Sequence, residues 1–218
     1  METPARRGRP RDEEADRRIL TAAHGVLEER GYQGFSIDEV AARAAVAKTT
    51  LYRRWPTKDH LLVALVAGIQ DAVPVTDTGD VRRDLTVYLT AVAGGLNRMR
   101  LLGRDTAGAP DGPGGPGDRS AGVVAELVAA AARHPDVGDA VRALFARRNA
   151  LPLALLERAR QRGALRADAS PEAVFDRLAG ALYYRLLITG EPIDARYVEE
   201  SVHQTLAGAG PTHPAERT

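Results

Sequence analysis

Between Ser36 and Lys58 the chain reads SIDEVAARAAVAKTTLYRRWPTK, two short helical segments with room for only a tight turn between them. Ser36-Ile37-Asp38-Glu39 has the form of a capping box. The Ser36 hydroxyl would accept from the Glu39 backbone N–H, and the Glu39 carboxylate would reach back to the Ser36 N–H. Ile37, Val40, Ala41 and Ala44 follow at helical spacing on one face. The second segment, Val46 to Trp55, stops before Pro56. From Arg43 to Lys58 every charge is positive: Arg43, Lys48, Arg53, Arg54 and Lys58.

Two helices so short and so close require a third to bury their apolar faces. With one supplied, the second segment hides Val46 and Leu51 and turns short polar and long cationic side chains outward, as a helix entering a DNA major groove must. Thr49 and Thr50 suit base edges or phosphates, their methyls suit thymine, and Arg53 can reach guanine or a phosphate. Lys48 stands in the first turn, at the unfavourable end of the helix dipole. A phosphate docked there removes that penalty, because exposed N–H groups and a cation attract it together.

The run SIDEVAARAAVAKTTLYRRWPTKDHLLVAL resembles the DNA-binding segment of the tetracycline-repressor (TetR) family. Ala44, Val46, Lys48, Thr50, Leu51, Tyr52, Trp55 and Lys58 stand at the matching places. The resemblance covers roughly the first quarter of the chain and implies an all-α fold. That fold would have an N-terminal three-helix helix-turn-helix domain and a C-terminal helical bundle for ligand binding and dimerisation. It also implies double-stranded DNA, a palindromic operator, as partner. The DNA-facing candidates are Ser36, Lys48, Thr49, Thr50, Tyr52, Arg53 and Lys58. Two positions depart from the pattern. Ala45 replaces the turn glycine, costing roughly 1 kcal/mol if the position needs positive φ. Ala47 replaces a serine, and the second helix loses a side-chain N-cap.

Outside this segment, Arg6-Arg7-Gly8-Arg9-Pro10-Arg11 contains an RGRP core like that of AT-hooks. Arg6, Arg7, Arg9 and Arg11 are candidates for an arm in an A·T-rich minor groove. A solvated basic tail is the competing reading. Lysine usage points the same way. Of 30 Lys and Arg only two are Lys, Lys48 and Lys58, and both fall in the motif. A compact ammonium serving a phosphate is a reasonable cause; chance is the alternative.

With 218 residues there is ample core for one large or two small domains. Net charge is only +1, so DNA affinity has to come from patterning rather than from bulk charge. The absence of Cys removes disulfides and thiolate metal sites. No apolar run suits a bilayer and no signal peptide is evident, so a cytoplasmic protein without membrane contact is expected. The five His are scattered, without HExxH spacing, and no Ser sits in a GxSxG elbow. Neither an enzyme, nor a metal site, nor a cofactor is expected.

Taken with the helix pattern, the resemblance implies a basic arm (1–11), a helix-turn-helix domain (12–57), a ligand-binding and dimerisation domain (58–207) and a loose tail (208–218). Further helices are expected from Leu61 toward Pro74, Asp80 to Leu102, Ala121 to Arg133, Asp136 to Arg162, Ser170 to Thr189 and Asp194 to Leu206. Residues 103–120, GRDTAGAPDGPGGPGDRS, read as a flexible loop.

Apolar stripes on the last two helices, Phe175, Leu178, Ala179, Leu182 and Leu186 with Val198 and Val202, are the candidate interface of a homodimer. Closure of the monomer core is the competing reading. An effector pocket between the C-terminal helices would draw on Tyr88, Leu96, Met99, Leu127, Phe145, Asn149 and Tyr184, each of which could equally be plain core. Asn97 and Asn149 are amides inside apolar helices and need partners if buried. Two function classes stand. One is a regulator, most simply a repressor, released from its operator by a small, largely apolar effector. The other is a dimeric helical DNA-binding or interaction module controlled by a protein partner or by no ligand.

Overall fold

The computed structural model describes residues 13–70, 74–101 and 122–210. Among these every regular element is helical, and none is long and apolar enough to cross a membrane. The arm, the 103–120 segment and most of the tail lie outside the described residues.

Helix α1 (Glu13–Arg30) opens with Glu13, Glu14 and Asp16 and closes with Arg30, charges that suit both ends of its dipole. Gly31, at φ 66°, ends it in the left-handed region. Its buried stripe of Ala15, Ile19, Ala23, Val26 and Leu27 packs on α2 (Ile37–Arg43), which buries Ile37, Val40 and Ala41. Helix α3 (Lys48–Arg54) is anchored by one fully buried side chain, Leu51.

The α2–α3 turn is a Schellman motif. Val46 N–H donates to Ala41 O at 3.1 Å and Ala45 N–H to Ala42 O at 3.2 Å, which puts Ala45 at φ 52°. The expected strain at Ala45 is therefore present. The expected capping box is not. Ser36 sits at the N-cap of α2 without a side-chain cap bond, and the Glu39 carboxylate accepts from Arg43 at 2.5 Å.

Helix α4 (Lys58–Gln70) packs on α1 and also on α7, α6 and α5, so it joins the two halves. In the first turn of α5 (Val81–Leu101), the buried Asp84 carboxylate accepts from the Thr78 N–H at 2.8 Å and the Thr78 hydroxyl at 2.7 Å. Helices α6 (Gly122–Arg133) and α7 (Pro135–Gln161) meet at His134, with Pro135 at the first helical position of α7. Helix α8 (Pro171–Tyr184) starts on Ser170, whose hydroxyl accepts from Ala173 N–H at 3.1 Å. It runs on into a five-residue π turn, Arg185–Thr189, closed by Gly190. Asp194 caps α9 (Ala195–Ala209), accepting from Tyr197 N–H at 2.8 Å.

The stripes proposed for dimerisation lie inside the subunit. Phe175, Leu178, Leu182 and Leu186 are buried, as are Val198 and Val202, and Ala179 is half-buried against the core. Helix α8 spends its apolar face on α7 and α9, and α9 spends its own on α5 and α8, so the buried residues of both stripes close the subunit core and only Ala179 keeps part of its surface. Along α8 and the π turn that continues it, Gly180, Tyr184 and Ile188 are exposed at four-residue spacing, beside exposed Asp176 and Arg177, with Tyr184 59% and Ile188 70% exposed.

Candidate nucleic-acid interface and C-terminal cavities

Leu51 turns inward from α3, which leaves Lys48, Thr49, Tyr52 and Arg53 exposed on the opposite side. Thr50 is half-buried beside them, and Tyr52 is 45% exposed. Trp55, at the end of α3, packs on the core. Ala47 caps α3 with no side-chain bond, as its methyl requires.

The five basic side chains of the segment divide into two kinds. Arg43 is consumed by the domain itself, donating to Glu29 at 2.8 and 2.6 Å and to Glu39. The guanidinium holds the Glu29 carboxyl below the usual carboxylate range. Arg54 pairs with Asp16 and ties α3 to α1. The remaining cations stay near the surface on weak attachments. Lys48 Nζ lies 2.6 Å from Asp38 Oδ2, across the turn. Lys58 Nζ stands 4.0 Å from the Tyr32 ring centroid, while the Tyr32 hydroxyl donates to Asp59 Oδ1 at 2.8 Å. Arg53 has no ion pair among the described residues. Ser36, half-exposed at the start of α2, keeps its hydroxyl out of the helix cap.

In the C-terminal half, a cavity of about 30 Å³ is lined by Tyr88, Phe145, Arg148, Asn149, Ala179 and Tyr183, among others. A neighbouring cavity of about 40 Å³ is lined by Val63 and Val66 of α4, Leu127 of α6, and Leu144, Phe145 and Tyr183. Phe145 and Tyr183 thus line both spaces, edge to face, with centroids 5.8 Å apart at 72°. Of the seven pocket candidates, Tyr88, Phe145 and Asn149 meet in the first cavity, and Leu127 lines the second with Phe145. Leu96 and Met99 are core residues that line neither.

Tyr184 points outward, and Tyr183 takes the inward place. One residue turns a helical side chain by about 100°. Phe175, Ala179 and Tyr183, spaced four apart, were the signal available. Arg148 was also missed, one position before Asn149 and three after Phe145.

Known proteins share both halves of this architecture. Residues 19–65 match the family described as "Bacterial regulatory proteins, tetR family", and residues 116–205 match "Tetracyclin repressor-like, C-terminal domain". The chain is 31% identical over 214 residues to the uncharacterised HTH-type transcriptional regulator YdeS of Bacillus subtilis, covering 97% of this chain and 98% of that one. The chain belongs to the TetR family.

Other TetR-family relatives agree. Identity is 31% over 193 residues to the DNA-binding transcriptional repressor TetR of Mycobacteroides abscessus, with 86% of this chain and 90% of that one covered. The crystal structure of the TetR family transcription regulator SCO0332 superposes with a TM-score of 0.69 at 34% identity, over 91% of this chain and 100% of that one. The protein is thus a DNA-binding transcriptional regulator and not an enzyme. Regulators of this family bind DNA and usually act as dimers.

Proposed function

We propose that this TetR-family chain is a repressor that binds a palindromic operator as a homodimer and leaves it when a small effector occupies the C-terminal cavities. The observation that carries the reading is the pair of roles taken by α4. Its first residue, Lys58, lies over the Tyr32 ring of the DNA-binding domain, and its Val63 and Val66 line a cavity of the C-terminal half. A molecule seated in that cavity has direct purchase on the element that carries the DNA-binding domain.

In this reading Thr49, Thr50, Tyr52 and Arg53 meet base edges and phosphates, while Ser36, Lys48 and Lys58 meet phosphates. Residues 1–11 supply an arm, with Arg6, Arg7, Arg9 and Arg11 in the minor groove. The line of Gly180, Tyr184 and Ile188 is the surface at which two copies meet, with the glycine leaving space for a helix to approach. The boundaries 12–57 and 58–207 separate the DNA-reading and effector-binding parts.

Reciprocity provides the test. A ligand that weakens DNA binding must itself bind more weakly when DNA is present. Fractions of a metabolite extract would be assayed for melting temperature of the free protein and for release of a fluorescent duplex. One fraction is expected to raise the first and cause the second over the same concentrations. A protein that holds DNA while no fraction shifts its melting temperature would belong to the class controlled by a partner or by no ligand.

A further inference from the structure

Tyr32 follows the glycine that ends α1, and it is buried, only 6% exposed. Its side chain is engaged by two residues of the first turn of α4. The hydroxyl donates to Asp59 Oδ1 at 2.8 Å, and the Lys58 ammonium stands 4.0 Å from the ring centroid. Lys58 Nζ also donates to the Tyr32 carbonyl oxygen at 3.5 Å, so one residue meets the ammonium with both its ring and its backbone. Burial and the Asp59 hydrogen bond push the Tyr32 phenol up, so it keeps its proton and remains a donor near neutrality.

A carboxylate and a ring hold a cation in different ways. A carboxylate neutralises it and must be displaced before a phosphate can bind, as Asp38 must be from Lys48. A ring face attracts the ammonium through its quadrupole and leaves the full charge in place. Asp59, the carboxylate next to Lys58 in sequence, is occupied by the Tyr32 hydroxyl, and Lys58 makes no ion pair among the described residues. A lysine stem is long and flexible, and freezing it on a phosphate costs rotamer entropy. A half-buried stem that already rests on a buried ring has lost part of that freedom before DNA arrives.

We propose that Tyr32 is a positioning residue for DNA binding. Its ring seats the Lys58 ammonium, with the charge uncompensated, at the first turn of α4, where a phosphate of the DNA backbone meets it. The inference rests on the reading above, in which Lys58 contacts a phosphate, and adds the residue that prepares that contact.

Anisotropy titrations of the full-length protein on a fluorescein-labelled duplex of mixed sequence, at several salt concentrations, test it as a double-mutant cycle. Lys58→Ala is expected to weaken binding and to lower the salt slope by about one. Tyr32→Leu is expected to weaken binding about three- to tenfold in the parent protein, and by less than about twofold in the Lys58→Ala background. Tyr32→Phe keeps the ring face and is expected to bind within about twofold of the parent. Melting curves check that each variant is folded.

A second measurement needs no substitution at Tyr32. Lys48 and Lys58 are the only lysines, so isotopically labelled lysine marks two side chains, and Lys48→Arg assigns them. The ε protons of Lys58 are expected upfield of those of Lys48, shielded by the ring, and are expected to stay there once the duplex is bound. A Lys58 signal at the ordinary position, or one that returns to it when DNA is added, would overturn the positioning role. Equal losses from Tyr32→Leu in both backgrounds would overturn it too, as would Tyr32→Phe binding as poorly as Tyr32→Leu. Lys58 would remain a phosphate contact in each case, provided that Lys58→Ala lowers the slope. An unchanged affinity and slope in Lys58→Ala would remove that contact from the functional reading, and the positioning role with it.

Discussion

Lys48 Nζ lies 2.6 Å from Asp38 Oδ2, so the ammonium at the start of α3 is held by a carboxylate from the first turn of α2. Both side chains are more than half exposed, at 60% and 53%. Such a pair contributes at most about 1 kcal/mol in water, and a DNA phosphate can displace the carboxylate easily. Lys48→Ala is expected to weaken specific and nonspecific DNA alike and to lower the salt slope by about one. Asp38→Asn is expected to tighten both, by freeing the ammonium and removing a like charge from the phosphates. Anisotropy titrations at several salt concentrations read both effects. A change of sequence preference at constant slope in Lys48→Ala would make Lys48 a base reader.

Ala45 occupies the left-handed region at φ 52°, where a Cβ is strained. Ala45→Gly relieves that strain but loosens the unfolded chain, and the net expectation is a gain of roughly 0.5–1 kcal/mol. Urea unfolding with an unchanged m-value would establish it. A loss of stability would mean that the unfolded-chain entropy gained by glycine outweighs the strain relieved.

Asn97 exchanges two hydrogen bonds with the backbone of Ile193, donating to its carbonyl at 2.8 Å and accepting from its N–H at 3.2 Å. This clamps α5 to the turn between the π segment and α9. Asn97→Ala leaves both backbone groups short of partners and is expected to cost about 2–3 kcal/mol. Hydrogen exchange at the Ile193 amide gives a local check, since faster exchange there is expected even where the global melt moves little.

Asp77 holds the segment before α5 to α7, accepting from Arg158 Nε at 2.6 Å and from Arg162 Nη2 at 3.2 Å. Its carboxyl lies below the ordinary carboxylate range, chiefly through the Arg158 bond. A depressed folded-state pKa stabilises above the unfolded value and is lost as pH falls through the folded one. Asp77→Asn is therefore expected to flatten the acid limb of stability against pH and leave the alkaline limb alone. An acid limb of unchanged steepness would assign it to other carboxylates.

The outward polar and cationic face of α3 was legible because its evidence is local. A periodicity of one anchor, Leu51, against outward Lys48, Thr49, Tyr52 and Arg53 needs only the neighbouring turn to be interpreted. The strain at Ala45, expected only if the turn position that the family gives to glycine needs positive φ, is present at φ 52°. Elements that depend on long-range competition were harder. Glu39 was available to Ser36 in sequence, but Arg43 reaches it in space. The Phe175-to-Leu186 stripe was equally suited to a partner or to the subunit core, and only the positions of α5, α7 and α9 decide. Tyr183 and Tyr184 differ by a single helical step, smaller than the accuracy with which a stripe's centre can be set by eye.

The direct test of DNA reading by α3 is a titration on selected DNA. A duplex recovered by selection from random sequence would be compared with its scrambled counterpart, using fluorescence anisotropy at fixed salt. Full-length protein is expected to recover a palindrome and to bind it at least about a thousandfold more tightly than the scramble. Tyr52→Phe and Thr49→Ala are each expected to weaken the palindrome by about 1–2 kcal/mol, with helicity by circular dichroism unchanged. Equal affinity for palindrome and scramble, or both substitutions binding like the parent protein, would contradict the assignment of α3 as the reading helix.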